Sequence, residues 1–215
     1  MKNKKFFIIT LVLTFLICLV AFSVDRELIK TIDSWFYDII SNQINPNLTL
    51  FMRFATEVGS VGVVIILCLS FFLFSKVRKN YALPVATTVA ITSLSNLGLK
   101  TLFARERPNI LQLISESYYS FPSGHAMINM AFYTMVFMIT KKHVDNKKTK
   151  LTISIICIII PLVIGISRIY LGVHYTSDVV AGWFLGFVIS IIVFNLFEGW
   201  NKLNNLAKGY YSEKK

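Results

Sequence analysis

Residues 177–197 read SDVVAGWFLGFVISIIVFNLF, and how this stretch is read decides the fold. Its one ionisable side chain, Asp178, stands at the start of the run. A helix rises 1.5 Å per residue, so about 20 apolar residues cross a hydrocarbon core of about 30 Å. The segment therefore reads as a membrane span, and the same test applied outward finds others.

Six spans emerge at 6–24, 58–75, 81–103, 122–140, 151–166 and 177–197, with a basic tail at 198–215. The fifth is the shortest and can continue as helix toward Tyr170. Hydrophobic residues make up 55% of the 215-residue chain, and mean hydropathy is +0.63. Only helices satisfy their backbone polar groups within such segments. The expectation is an all-α polytopic membrane protein, residues 1–215 forming a single domain with six transmembrane helices in one bundle. The first span follows Lys2, Lys4 and Lys5 as a secretory signal would. It is longer than a usual signal core and no small-x-small cleavage site follows, so an uncleaved anchor is expected.

Between the first two spans, Leu28, Ile32, Trp35, Phe36 and Ile39 share one helical face, while Lys30, Asp33 and Asp38 lie elsewhere. A short interfacial helix lying on the bilayer fits this pattern. An ordinary loop helix packed on the bundle fits it equally well.

The net charge is +11, which in a soluble protein would point to nucleic acid. Here the cations lie mostly in short loops and tails and no basic nucleic-acid-binding motif accompanies them, so that partner is excluded. Fifteen cations fall on one side of the expected bundle and seven on the other. The richer side is expected to be cytoplasmic, with both termini, which makes this a multi-pass protein of the cell membrane. Cys18, Cys68 and Cys157 lie within apolar segments without paired or metal-type spacing, and read as small buried hydrophobes.

Three polar patches interrupt the apolar pattern: 100–108 (KTLFARERP), 122–125 (PSGH) and 167–178 (SRIYLGVHYTSD). Alternating topology brings all three to one membrane face, the extracytoplasmic one. Charge in that setting is costly and is generally functional. Lys100, Arg107 and Arg168 together form a clamp suited to phosphate oxygens, because arginine offers a planar fork of donors and lysine a point charge. Lys100 alone would read as a side chain reaching for headgroups. The stripe Ser93, Asn96, Lys100 turns it toward the bundle interior. Arg105 is a possible secondary phosphate ligand, though the adjacent Glu106 can pair with either arginine. In PSGH, Ser123 can cap a helix and Gly124 lets backbone approach a ligand, leaving exposed N–H groups as an anion site with His125 in the first turn. His174 and Asp178 are spaced i, i+4, so a helical backbone lets the carboxylate hold Nδ1–H and leave Nε2 as a nucleophile. One His-x3-Asp pair has too few ligands for a metal site. His143, in a basic loop, reads as solvated.

These three blocks, in this order and spacing, resemble the signature of the type 2 phosphatidic acid phosphatases, or lipid phosphate phosphatases: K-x6-RP, PSGH and SR-x5-H-x3-D. Every signature position from Lys100 to Asp178 is filled. The resemblance implies that His174 attacks phosphorus to form a phosphohistidine, with Asp178 orienting it. It implies that His125 protonates the leaving oxygen and then activates water. Lys100, Arg107, Arg168, Ser123 and the Gly124 backbone would hold the phosphate, with no metal and no cofactor. The implied substrate is a lipid phosphate or pyrophosphate reached from the bilayer: undecaprenyl pyrophosphate, phosphatidylglycerophosphate or phosphatidate. Transfer of the phosphoryl group to a lipid or sugar acceptor would use the same residues. A non-enzymatic anion channel or lipid transporter would need neither the His174–Asp178 pair nor His125.

Overall fold

The computed structural model describes residues 26–73, 78–109 and 112–212; the expected first span lies outside them. Among the described residues the elements are all helical. They are α1 (Arg26–Ser41), α2 (Pro46–Val58), α3 (Val61–Leu73), a π-helical turn at Arg78–Ala82, α4 (Leu83–Phe103), α5 (Gly124–His143), α6 (Lys147–Tyr170) and α7 (Thr176–Ser212).

Among the described residues, three helical stretches are long and apolar enough to cross a membrane: Asn80–Phe103, Lys147–Tyr170 and Thr176–Leu203. The pair α2 and α3, bent by 47°, makes a fourth if it is one span. The chain is thus a membrane protein. The expected span at 58–75 corresponds to α3, and the helix before it went unread. Asn45 caps α2 by accepting the Leu48 N–H at 2.9 Å, and Pro46 sits at a helix start, where its missing N–H costs nothing. The break after it falls at Gly59 and Ser60.

Helix α5 is not apolar enough to join the candidate spans. Its position explains this, since it packs against α3, α4, α6 and α7 and buries Asn129, Thr134 and Thr140 together with its apolar residues. Helix α6 shows the complementary pattern. Leu151, Ile155, Ile158, Ile159 and Leu162 are exposed, whereas Ser154, Cys157, Gly165, Ser167 and Arg168 are buried. An apolar outside and a small or polar inside is the arrangement a bilayer favours.

Close packing of α5 on α7 sets the geometry of the site. A Cβ on Gly182 would lie 2.8 Å from the Ser123 carbonyl oxygen, and one on Gly186 would collide with the Met127 carbonyl oxygen. This Gly-x3-Gly edge lets the two backbones touch. The Ser123 N–H also donates to the Asp178 carbonyl at 3.0 Å, so the starts of both helices are held side by side.

Candidate active site

Helix α6 ends at Tyr170, and the turn after it contains Gly172 at φ 71°, a left-handed conformation that glycine adopts without strain. The Arg168 carbonyl then accepts the N–H groups of Val173 (3.2 Å) and His174 (3.3 Å). This fold-back places His174 beside the first turn of α7, where Asp178 is fully buried. His174 Nδ1 lies 3.4 Å from Asp178 Oδ2, which also accepts the Tyr175 N–H at 3.0 Å and the Ser120 hydroxyl.

On the other side of the ring, the Arg107 guanidinium lies 3.2 Å from His174 Nε2 and donates to the Val173 carbonyl at 2.8 Å. Arginine has only donors, so Nε2 is the acceptor and the imidazole proton resides on Nδ1, facing Asp178. Burial pulls the His174 pKa from 6.5 down to about 4, against the opposing pull of Asp178. The ring is therefore neutral at physiological pH, with its lone pair directed at Arg107.

Arg168, 1% exposed, donates to Thr56 Oγ1 at 2.5 Å and to Glu116. Its Nε has no hydrogen-bond partner among the described residues, a costly state for a buried donor. Glu116 also lies 3.8 Å from Arg107. Burial opposes its charge, yet Arg168 and Arg107 hold the Glu116 carboxyl below the usual carboxylate range. One carboxylate thus spans two arginines. The buried Lys100 amine donates to the Tyr119 carbonyl and, at 3.3 Å, to that of Ser120. Asn96, one turn before it, donates to the Pro122 carbonyl at 3.1 Å and stands 3.0 Å from where a Gly124 Cβ would be. Ser123 caps α5 by accepting the Ala126 N–H. His125, half-buried in that first turn, lies within electrostatic reach of Arg168, Glu116, His174 and Arg107.

The structure thus gathers Lys100, Arg107, Ser123, Gly124, His125, Arg168, His174 and Asp178 around one site. Arg105 does not join the cradle. Its guanidinium is engaged by Asp33 at 2.8 Å and Asp178 at 2.6 Å, with the Tyr175 ring 3.9 Å beneath it. Nor does Glu106 pair with either arginine among the described residues; it is exposed, and the arginines meet carboxylates from elsewhere.

The PAP2 superfamily pattern matches residues 81–202, which contain this whole gathering. The chain belongs to the PAP2 superfamily. Its PAP2 relatives include phosphatidylglycerophosphatase B of Bacillus subtilis, 40% identical over 46% of this chain and 50% of that protein. The match thus spans half the length of that relative. Undecaprenyl-diphosphatase of Sulfolobus acidocaldarius is 30% identical over 70% of this chain and 71% of that protein. Among solved structures, the transmembrane PAP2-type phosphatidylglycerolphosphate phosphatase of Bacillus subtilis superposes with a TM-score of 0.77 at 29% identity. That match covers 89% of this chain and 96% of the other. These PAP2 relatives are named for phosphatase action on lipid phosphates, and the family is one of membrane lipid phosphatases.

Four residues of this PAP2 site went unread in the sequence: Asp33, Thr56, Glu116 and Ser120. Glu116 and Ser120 sit in the polar stretch before PSGH, where no periodicity marks them. Asp33 was visible as a polar interruption of an amphipathic helix but had no evident partner.

Proposed function

We propose that this chain is a lipid phosphatase of the cell membrane that works through a phosphohistidine and needs no metal ion. One observation carries the reading: Arg107 donates to Nε2 of His174 while Nδ1 faces Asp178. A neutral imidazole with a fixed tautomer, beside arginines already holding an anion, is a nucleophile next to its phosphate site.

In this mechanism the lipid phosphate displaces Glu116, and its oxygens are taken by Arg107, Arg168, Lys100 and the N–H groups at the start of α5. The Nε2 lone pair attacks phosphorus in line, and the P–O bond to the lipid breaks. His125, neutral in the free site, takes up a proton from solvent as the substrate's negative charge enters and gives that proton to the leaving oxygen. Water then attacks the phosphohistidine, His125 takes a proton from it, the P–N bond breaks and phosphate leaves. The three cations stabilise the equatorial oxygens in both steps, which is where most of the catalysis of phosphoryl transfer lies.

The substrates most consistent with the site are undecaprenyl pyrophosphate, phosphatidylglycerophosphate and phosphatidate. The cation asymmetry of the sequence supports an extracytoplasmic site with both termini in the cytoplasm. The exposed apolar face of α1 (Leu28, Ile32, Trp35, Phe36, Ile39) supports its lying in the membrane interface beside the site. The test is phosphate release by the purified protein over a panel of lipid phosphates with chelator present. Turnover in chelator that His174→Ala abolishes is expected. No release from any of them, or full activity in His174→Ala, would overturn the proposal.

A further inference from the structure

Asp33 belongs to α1, outside the segment that the family pattern matches, and is 3% exposed. Helix α1 leaves Leu28, Ile32, Trp35, Phe36 and Ile39 exposed and turns this carboxylate inward, with Ile40 packed on the core. Both Asp33 oxygens are used. Oδ1 accepts the Ser177 N–H at 2.8 Å; Oδ2 accepts the Ser177 hydroxyl at 2.7 Å and Arg105 at 2.8 Å. The other arm of the same guanidinium donates to Asp178 Oδ1 at 2.6 Å and to Ser177 Oγ at 2.8 Å. Arg105 is thereby stretched between two carboxylates, and the second is the one that faces His174. One cavity is lined by Asp33 and Tyr37 of α1 together with His174 and Thr176.

We propose that Asp33 is a positioning residue for the phosphatase reaction, acting through Arg105 and Ser177 to hold Asp178 against His174. This rests on the reading of His174 and Asp178 as nucleophile and orienter. Asp33 anchors the guanidinium and shares its positive charge. Without that second carboxylate, Arg105 turns its full charge on Asp178, which then stabilises the positive charge developing on His174 less well. The phosphate cradle (Lys100, Arg107 and Arg168) makes none of these contacts, so substrate capture is left alone. The effect of losing Asp33 therefore falls on kcat and spares KM.

The experiment compares wild type, Asp33→Asn, Asp33→Glu, Arg105→Lys and the Asp33→Asn/Arg105→Lys double variant, each as the full chain in lipid nanodiscs, with thermal unfolding monitored alongside. Asp33→Asn should lower kcat by about tenfold or more with KM within about twofold. Asp33→Glu should recover part of that loss. The double variant should be no worse than the worse single one by more than about twofold, since the two residues act as one unit. A folded Asp33→Asn with wild-type kcat, or losses that simply multiply, overturns the proposal. Should Asp33→Asn fail to fold, Arg105→Lys decides: it keeps a charge but cannot bridge two carboxylates, and wild-type kcat there overturns the proposal equally. Loss of turnover in His174→Ala beside a normal Asp33→Asn refutes the positioning role alone. Turnover retained in His174→Ala refutes the underlying mechanism instead.

Discussion

Arg107 and His174 stand 3.2 Å apart, guanidinium to Nε2. The contact determines the tautomer, since a group with only donors requires an acceptor across from it. Burial is what chiefly keeps the imidazole neutral, with a smaller push from the positive neighbour, against the pull of Asp178.

His174 should therefore titrate well below a free imidazole. Its folded-state pKa is about 4 against an ordinary 6.5, so the unfolded chain binds the proton more readily. Its contribution to stability is full above about 6.5 and is lost as pH falls toward about 4. Nitrogen-15 NMR of labelled protein should show a neutral ring with the proton on Nδ1 at pH 6. An imidazolium at that pH would contradict the assignment.

Glu116 bridges Arg168 and Arg107 in the place proposed for phosphate. Glu116→Gln keeps the shape and removes the competing charge, so inorganic phosphate should inhibit more tightly, with Ki lower by several-fold (about 1 kcal/mol). An unchanged or higher Ki would show that the carboxylate does not occupy the anion position.

The approach of α5 to α7 leaves no room at Gly186. Gly186→Leu should lower the thermal midpoint sharply and abolish activity together, because prying the helices apart separates Ser123 from Asp178. Gly62, where an added Cβ meets nothing within 4 Å, is the control: Gly62→Ala should leave both unchanged. Equal behaviour of the two variants would refute the packing argument.

Ala104 ends α4 at φ 43°, a left-handed conformation that costs a residue with a Cβ about 1–2 kcal/mol. It turns the chain so that Arg105 reaches Asp33 and Asp178. Ala104→Gly should stabilise by up to about 1 kcal/mol, and Ala104→Val should destabilise, both read by thermal unfolding in detergent. A loss of stability in Ala104→Gly would contradict this.

The parts legible in the sequence were those written in local pattern. Apolar length marked 81–103, 151–166 and 177–197, and α6 does run on to Tyr170. Fixed spacing marked Lys100, Arg107, His125, Arg168, His174 and Asp178, and the helix ends bring them together. Long-range partners left no such trace. Asp33 meets Arg105 across 72 positions and Thr56 meets Arg168 across 112, pairings that depend on how α1 and α2 pack. The bend between α2 and α3 was hidden because Gly59 and Ser60 interrupt a stretch whose composition stays apolar on one side only. Helix α5 reads in the sequence as one more span, and its polar residues face neighbours on several sides.

The central claim is the covalent intermediate, and trapping it is the direct test. Purified protein is mixed with phosphorus-32-labelled lipid phosphate in chelator, quenched within milliseconds under alkaline conditions that preserve phosphohistidine, and mapped by mass spectrometry. The account predicts label on Nε2 of His174 that is absent from His174→Ala and, because His125 serves both steps, both forms and decays more slowly in His125→Ala. Turnover without any labelled enzyme, or label on a residue other than His174, would contradict it.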